Sequence, residues 1–141
     1  MEFQKILVPI GGTEVDYEAM QLACRLAKQN KSKIYSVYVI TIKRSLPIEA
    51  EIEYEIEAAE KLLDQIEKVA EDQDYEADTD VLQSRDAGPA IVDEAVEKGI
   101  DLIIMGVKYK RRFGQFTLGS IARYVIKNAP CAVMLYQQYS P

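Results

Sequence analysis

Asp101-Leu102-Ile103-Ile104-Met105-Gly106 is the stretch that decides the architecture of this chain. A short, wholly apolar run that stops at a glycine reads as a strand covered on both faces. The same pattern stands near the start, where Ile6-Leu7-Val8 is closed by Pro9 and by Gly11-Gly12. Lys33 to Ile40, rich in Ile, Val and Tyr, predicts a second buried strand, and Ala132 to Tyr136 a last one. Asp78-Thr79-Asp80-Val81 alternates polar with apolar residues and predicts a strand at a sheet edge.

Helical patterns fill the intervals. Val15, Ala19, Leu22, Ala23 and Leu26 recur at helical spacing up to Asn30, with Thr13 and Asp16 placed to cap the helix start. Ile52, Ile56, Ala59, Leu63, Ile66 and Ala70 form one stripe of a long helix whose glutamates make its wet face. Gly88-Pro89 opens a third helix, since proline fits a first turn, and Gly99 closes it. Ile121, Ala122, Val125 and Ile126 mark a short final helix. Strand and helix therefore alternate four times before a fifth strand. That order implies an α/β, doubly wound parallel sheet with helices on both faces. In such sheets ligands sit beyond the carboxyl ends of the strands, where the strand order reverses. With the first strand central and the fourth beside it, the walls of that crevice are the loop Ile10 to Thr13 and the loop Gly106 to Ser120.

Composition narrows the function. At 141 residues, 48 % of them hydrophobic, the chain suits one domain with a real core. No linker, repeat or low-complexity tract interrupts it, and no window is apolar enough to span a membrane. Met1-Glu2-Phe3-Gln4-Lys5 lacks the layout of a secretion signal, so a cytoplasmic location is expected. There is no histidine, and Cys24 and Cys131 are far apart, which argues against a zinc site or a histidine-based nucleophile. A net charge of −6 argues against nonspecific binding to nucleic acid or an anionic membrane.

The loop before the last helix has two readings. Gly119-Ser120 opens a helix after Gly106, Gly114 and the basic residues Lys108, Lys110, Arg111 and Arg112. Amides at a helix start favour an anion, and glycines let backbone approach a phosphate. Equally, Gly119 turns the chain, Ser120 caps the helix and the basic run is solvated. Local chemistry alone favours this second, plainer reading.

Several segments carry a resemblance. Ile6-Leu7-Val8-Pro9, Gly88-Pro89-Ala90, Asp101 to Gly106, Leu118-Gly119-Ser120-Ile121-Ala122 and Asn128-Ala129-Pro130-Cys131 are together similar to the universal stress proteins, in order and at the right intervals. The resemblance covers essentially the whole chain. It implies a fold like the adenine nucleotide alpha hydrolases, with a five-stranded parallel sheet in the order 3-2-1-4-5.

That family includes members that bind ATP and members that do not. The binding members carry a glycine, two residues, a second glycine, nine residues, then glycine with serine or threonine. Gly106 and Gly119-Ser120 match this pattern, but Tyr109 replaces the second glycine. A carboxylate usual after the first strand's proline is here Gly11. By this resemblance an adenine nucleotide such as ATP, with magnesium only in its company, would lie against Pro9, Ile10, Gly11 and Thr13 on one side. Val39, at the end of the second strand, would face the adenine. Met105, Gly106, Gly119, Ser120 and Ile121 would form the other side, where Arg111 or Arg112 is expected to pair with the phosphates through its guanidinium. The ring of Tyr109 would narrow the room for a triphosphate.

The expected role is that of a small regulatory or binding module rather than an efficient enzyme. One rival is a stress protein that holds no nucleotide and acts through protein contacts. Another is a slow nucleotide hydrolase, although the Gly-Lys-Ser/Thr of a P-loop is missing. A homodimer is expected through Ala132, Val133, Met134, Leu135 and Tyr136, whose uncharged edge invites a second strand. The resemblance points the same way.

Overall fold

The computed structural model describes residues 2–108, 110–112, 115–117 and 119–138; for 110–112, 115–117 and 138 only the course of the backbone is described. Tyr109, the side chain of Arg111 and the residues 139–141 lie outside that description. In chain order the elements are β1 (Lys5–Pro9), α1 (Val15–Asn30), β2 (Lys33–Thr41), α2 (Glu53–Asp72), β3 (Ala77–Ser84) and α3 (Ala87–Lys98). Then follow β4 (Leu102–Lys108), β5 (Lys110–Arg112), β6 (Gln115–Thr117), α4 (Ser120–Asn128) and β7 (Ala132–Gln138). Five strands form one parallel sheet in the order β3-β2-β1-β4-β7, which is the expected 3-2-1-4-5.

Because side chains alternate across a strand, each apolar run feeds two cores at once. Ile6 and Val8 of β1, with Leu102 and Ile104 of β4, pack under α1 and α2 against Ala19, Ala23, Leu63 and Ile66. Leu7 and Ile103 face the other way, with Val37 and Met105, onto Ile91 and Ala95 of α3 and Val125 of α4. This explains why β1 and β4 read as unbroken apolar runs. The buried Ser36 hydroxyl is satisfied by donating to the Val8 carbonyl at 2.7 Å.

Gly99 closes α3 in the left-handed conformation, φ 65°, as its place in the sequence suggests. Asp78 and Asp80 stand on β3 at one edge of the sheet, and β7 forms the opposite edge. No described helix is long and apolar enough to cross a membrane.

Two local expectations change. The basic segment before α4 is not plain loop, since β5 and β6 pair antiparallel, Lys110 with Thr117 and Arg112 with Gln115. Thr13 and Asp16 do not cap α1 in the expected way. Helix α1 begins at Val15, its N-cap is Glu14, and no side chain bonds to its first amides. Asp16 lies inside the first turn and reaches back to the loop before it.

Candidate functional site in the crevice between β1 and β4

The crevice arises from how β1 divides its hydrogen bonds. It pairs with β2 along its whole length, from Lys5–Lys33 to Pro9–Val37, and the Ile10 amide continues by donating to the Val37 carbonyl at 2.8 Å. With β4 it pairs only at Ile6–Leu102 and Leu7–Ile103. Beyond Leu7 the strands part, and β4 continues beside β7 as far as Lys108. A cavity of about 380 Å³ fills the opening. That lies within the roughly 300–1,000 Å³ typical of small-molecule sites.

The structure brings most of the expected residues to this cavity. Pro9, Ile10 and Gly11 line it from the β1 side, Val39 from the end of β2, and Met105, Gly106, Gly119 and Ile121 from the other side. Thr13 and Ser120 are exposed and do not line it. Arg111 belongs to β5, with its side chain outside the described residues. Thr41, Ala87, Ile91 and Lys108 also line it. The helix α3 residues Ala87 and Ile91 had no local signal, because the topology alone carries their helix over the crevice. A larger, more open hollow of about 710 Å³ lies at the amino ends of β2 and β3, around Ser32, Tyr75 and Asp78. It mixes both charge signs and is at the wrong end of the strands for a switch-point site.

The three glycines of the crevice differ in what they permit. A Cβ added at Gly11 or Gly119 would meet nothing within 4 Å, so both present bare backbone to open space. A Cβ at Gly106 would lie 2.9 Å from Val15 Cγ1 and 3.1 Å from the Val15 carbonyl oxygen. Gly106 is therefore required by the close approach of α1 to β4, whether or not a ligand is present.

Electrostatically the two sides are unlike. On the β1 side, the loop amides of Gly11, Gly12 and Thr13 all donate to the Asp16 carboxylate, at 3.2, 2.8 and 3.0 Å. Asp16 is only 2 % exposed. Burial pushes its carboxyl above the ordinary 3.8, while the three amides pull it back down. Gly12 adopts φ 88°, a conformation that a side chain would strain. On the β4 side, α4 starts at Ser120 behind Gly119 with no side-chain cap on its amides among the described residues. Lys108, exposed at the end of β4, lines the same cavity. Helix amides, helix dipole and ammonium together make this the positive side. Among the described residues no group of three or more potential metal ligands forms.

Comparison with known proteins bears on the family and the fold. The sequence model of the universal stress protein family matches residues 2–137. The chain is 32 % identical to universal stress protein MJ0531 of Methanocaldococcus jannaschii, over 96 % of this chain and 83 % of that protein. Among solved structures it resembles the universal stress protein of Archaeoglobus fulgidus in complex with dAMP, with a TM-score of 0.75, 22 % identity, and coverage of 96 % of this chain and 98 % of that one. It also resembles a universal stress protein in complex with cAMP, with a TM-score of 0.72, 17 % identity, and coverage of 99 % and 100 %. With a doubly wound sheet of the expected order and a family match along almost its full length, the chain belongs to the universal stress protein family.

Proposed function

We propose that the chain is a cytoplasmic regulatory module that binds an adenine nucleotide in the crevice between β1 and β4. The observation that carries this reading is the cavity at the switch point, apolar at Pro9, Ile10, Met105 and Ile91 and positive at the start of α4. The apolar part suits a base, with the Val39 backbone at its edge. The amides behind Gly119, with Lys108, suit phosphate. Two proteins of the same fold are described with dAMP and cAMP, which supports an adenine nucleotide as the ligand class. ATP with magnesium is the larger member of that class. Among the described residues no group of three or more potential metal ligands forms, so magnesium would arrive on the phosphates.

Calorimetry with AMP, cAMP and ATP, the last with and without magnesium, tests the reading. Saturable heat is expected for at least one of them, and heat with none at millimolar ligand would sink it.

A second reading, action through protein contacts, is favoured by a separate observation. At the β7 edge Val133, Met134, Leu135 and Tyr136 are half-buried in the monomer, on a strand whose outer side has no partner among the described residues. Two copies joined antiparallel about a two-fold axis would satisfy that edge. Light scattering should then return twice 16.0 kDa, and Val133→Lys should shift the mass towards one chain. A wild-type monomer would remove the dimer without touching the nucleotide site.

A further inference from the structure

The carboxylate of Asp16 does more than cap a helix: its bond to the Thr13 amide closes the turn into α1, whereas its bonds to the Gly11 and Gly12 amides reach beyond that role. Both of its oxygens are engaged, by three successive amides of the loop that borders the crevice. Successive amides converging on one point form a concave anion receptor, the arrangement by which loops hold phosphates. Here the receptor already contains an anion, and that anion is covalently part of the chain. Its neighbour Gly11 lines the cavity and has open space where a Cβ would stand, so the loop is not kept from a ligand by bulk. What keeps it from a second anion is charge and the lack of free donors.

We propose that Asp16 is a specificity-determining residue, an internal anion that denies the first loop to ligand phosphates and confines them to the α4 side. The inference rests on the nucleotide reading for its ligand, but not for its test. A nucleotide is thereby oriented one way only, with its uncharged end towards Gly11 and its charged end towards Gly119. Asp16 does this without lining the cavity itself, by holding the three loop amides.

The test follows backbone amide resonances in the full-length chain during titration with inorganic phosphate. In the wild type, Gly11, Gly12 and Thr13 are expected to stay still. In Asp16→Ser, which removes the carboxylate and leaves room behind the loop, those three amides should shift saturably with phosphate in the millimolar range. Asp16→Asn, which keeps the shape and loses the charge, serves if the serine variant does not fold. A saturable wild-type shift at these amides would overturn the proposal. So would a folded variant whose three amides ignore phosphate. A purely structural role for Asp16 predicts weaker folding and no gain of phosphate response. Titration of the wild type with AMP is read separately, so silence there condemns the nucleotide reading and leaves the phosphate result standing.

Discussion

The two sides of the crevice begin from similar sequence, glycine followed closely by a helix, and end in opposite electrostatic states. At Gly11-Gly12-Thr13 the amides are filled by Asp16, five residues or fewer away. At Gly119-Ser120 no side chain of the described residues fills them. A glycine before a helix therefore says little about anion binding. What matters is whether the first turn carries a carboxylate able to reach back, as α1 does and α4, Ser-Ile-Ala-Arg, does not.

Substitutions at the glycines test this contrast most severely. Gly119→Val is expected to fold, since its side chain enters open space, and to weaken nucleotide binding by about 100-fold or more, ~2.7 kcal/mol. Calorimetry beside a thermal melt checks both halves, and an unchanged affinity would move the phosphate site elsewhere. Gly106→Ala should do the reverse. Its Cβ would press on buried Val15, so a loss of about 1–3 kcal/mol in urea unfolding is expected. Were Gly106→Ala as stable as the wild type, the glycine would have to be explained by a ligand after all.

Filling the first side tests the contrast from the other direction. Gly11→Asp fits sterically and supplies an acceptor for hydroxyls of a bound nucleoside. Charged hydrogen bonds are worth roughly 1.5–3 kcal/mol when buried. Gly11 is exposed, so the low end applies and the gain in affinity should be about tenfold. Weaker binding would mean that this side carries the phosphates.

The smallest expected effect concerns pH. Asp16 has a folded pKa above its unfolded value of about 3.8, so the folded state holds the extra proton between the two. Its contribution to stability is thus full below the unfolded value and is lost as pH rises through the folded one. Urea midpoints measured across mild acid should show this as a shallow downward slope with rising pH, absent in Asp16→Asn. An equal slope in both proteins would show that Asp16 is not its source.

Much of this was legible in the sequence, and the exceptions have physical causes of two kinds. Apolar runs such as Leu102 to Met105 identify buried strands because both faces are covered, and the alternation of strands with helices limits the topology. Asp16 was legible as a residue at a helix start, but the direction of its side chain depends on where the first turn begins. Gly106 read as a ligand glycine, and only the packing of α1 on β4 reveals its second duty. The β5–β6 pair leaves a faint trace in the sequence, where Gly114 stands between the short runs Lys110 to Arg112 and Gln115 to Thr117. Only Gly106 answers to a partner far along the chain; Asp16 and the β5–β6 pair are local, and turn on the backbone course that residue pattern does not give.

The short pairing of β1 with β4 has a consequence for how the molecule opens. The sheet consists of two hydrogen-bonded blocks, β3-β2-β1 and β4-β7, joined by the residue pairs Ile6–Leu102 and Leu7–Ile103 and, just before them, by Asp101 bonded to Gln4 and Lys5. Local opening follows the weakest seam of a structure. Amide exchange should therefore divide along this line, the two blocks showing separate protection. Helix α1, resting on β4 through Val15 and Gly106, spans the seam. A molecule in the crevice would bridge the same two blocks at their carboxyl ends, so occupancy would slow the exchange of both together. In that sense the site is also the clasp of the fold, and its filling would be registered in the motion of the whole sheet.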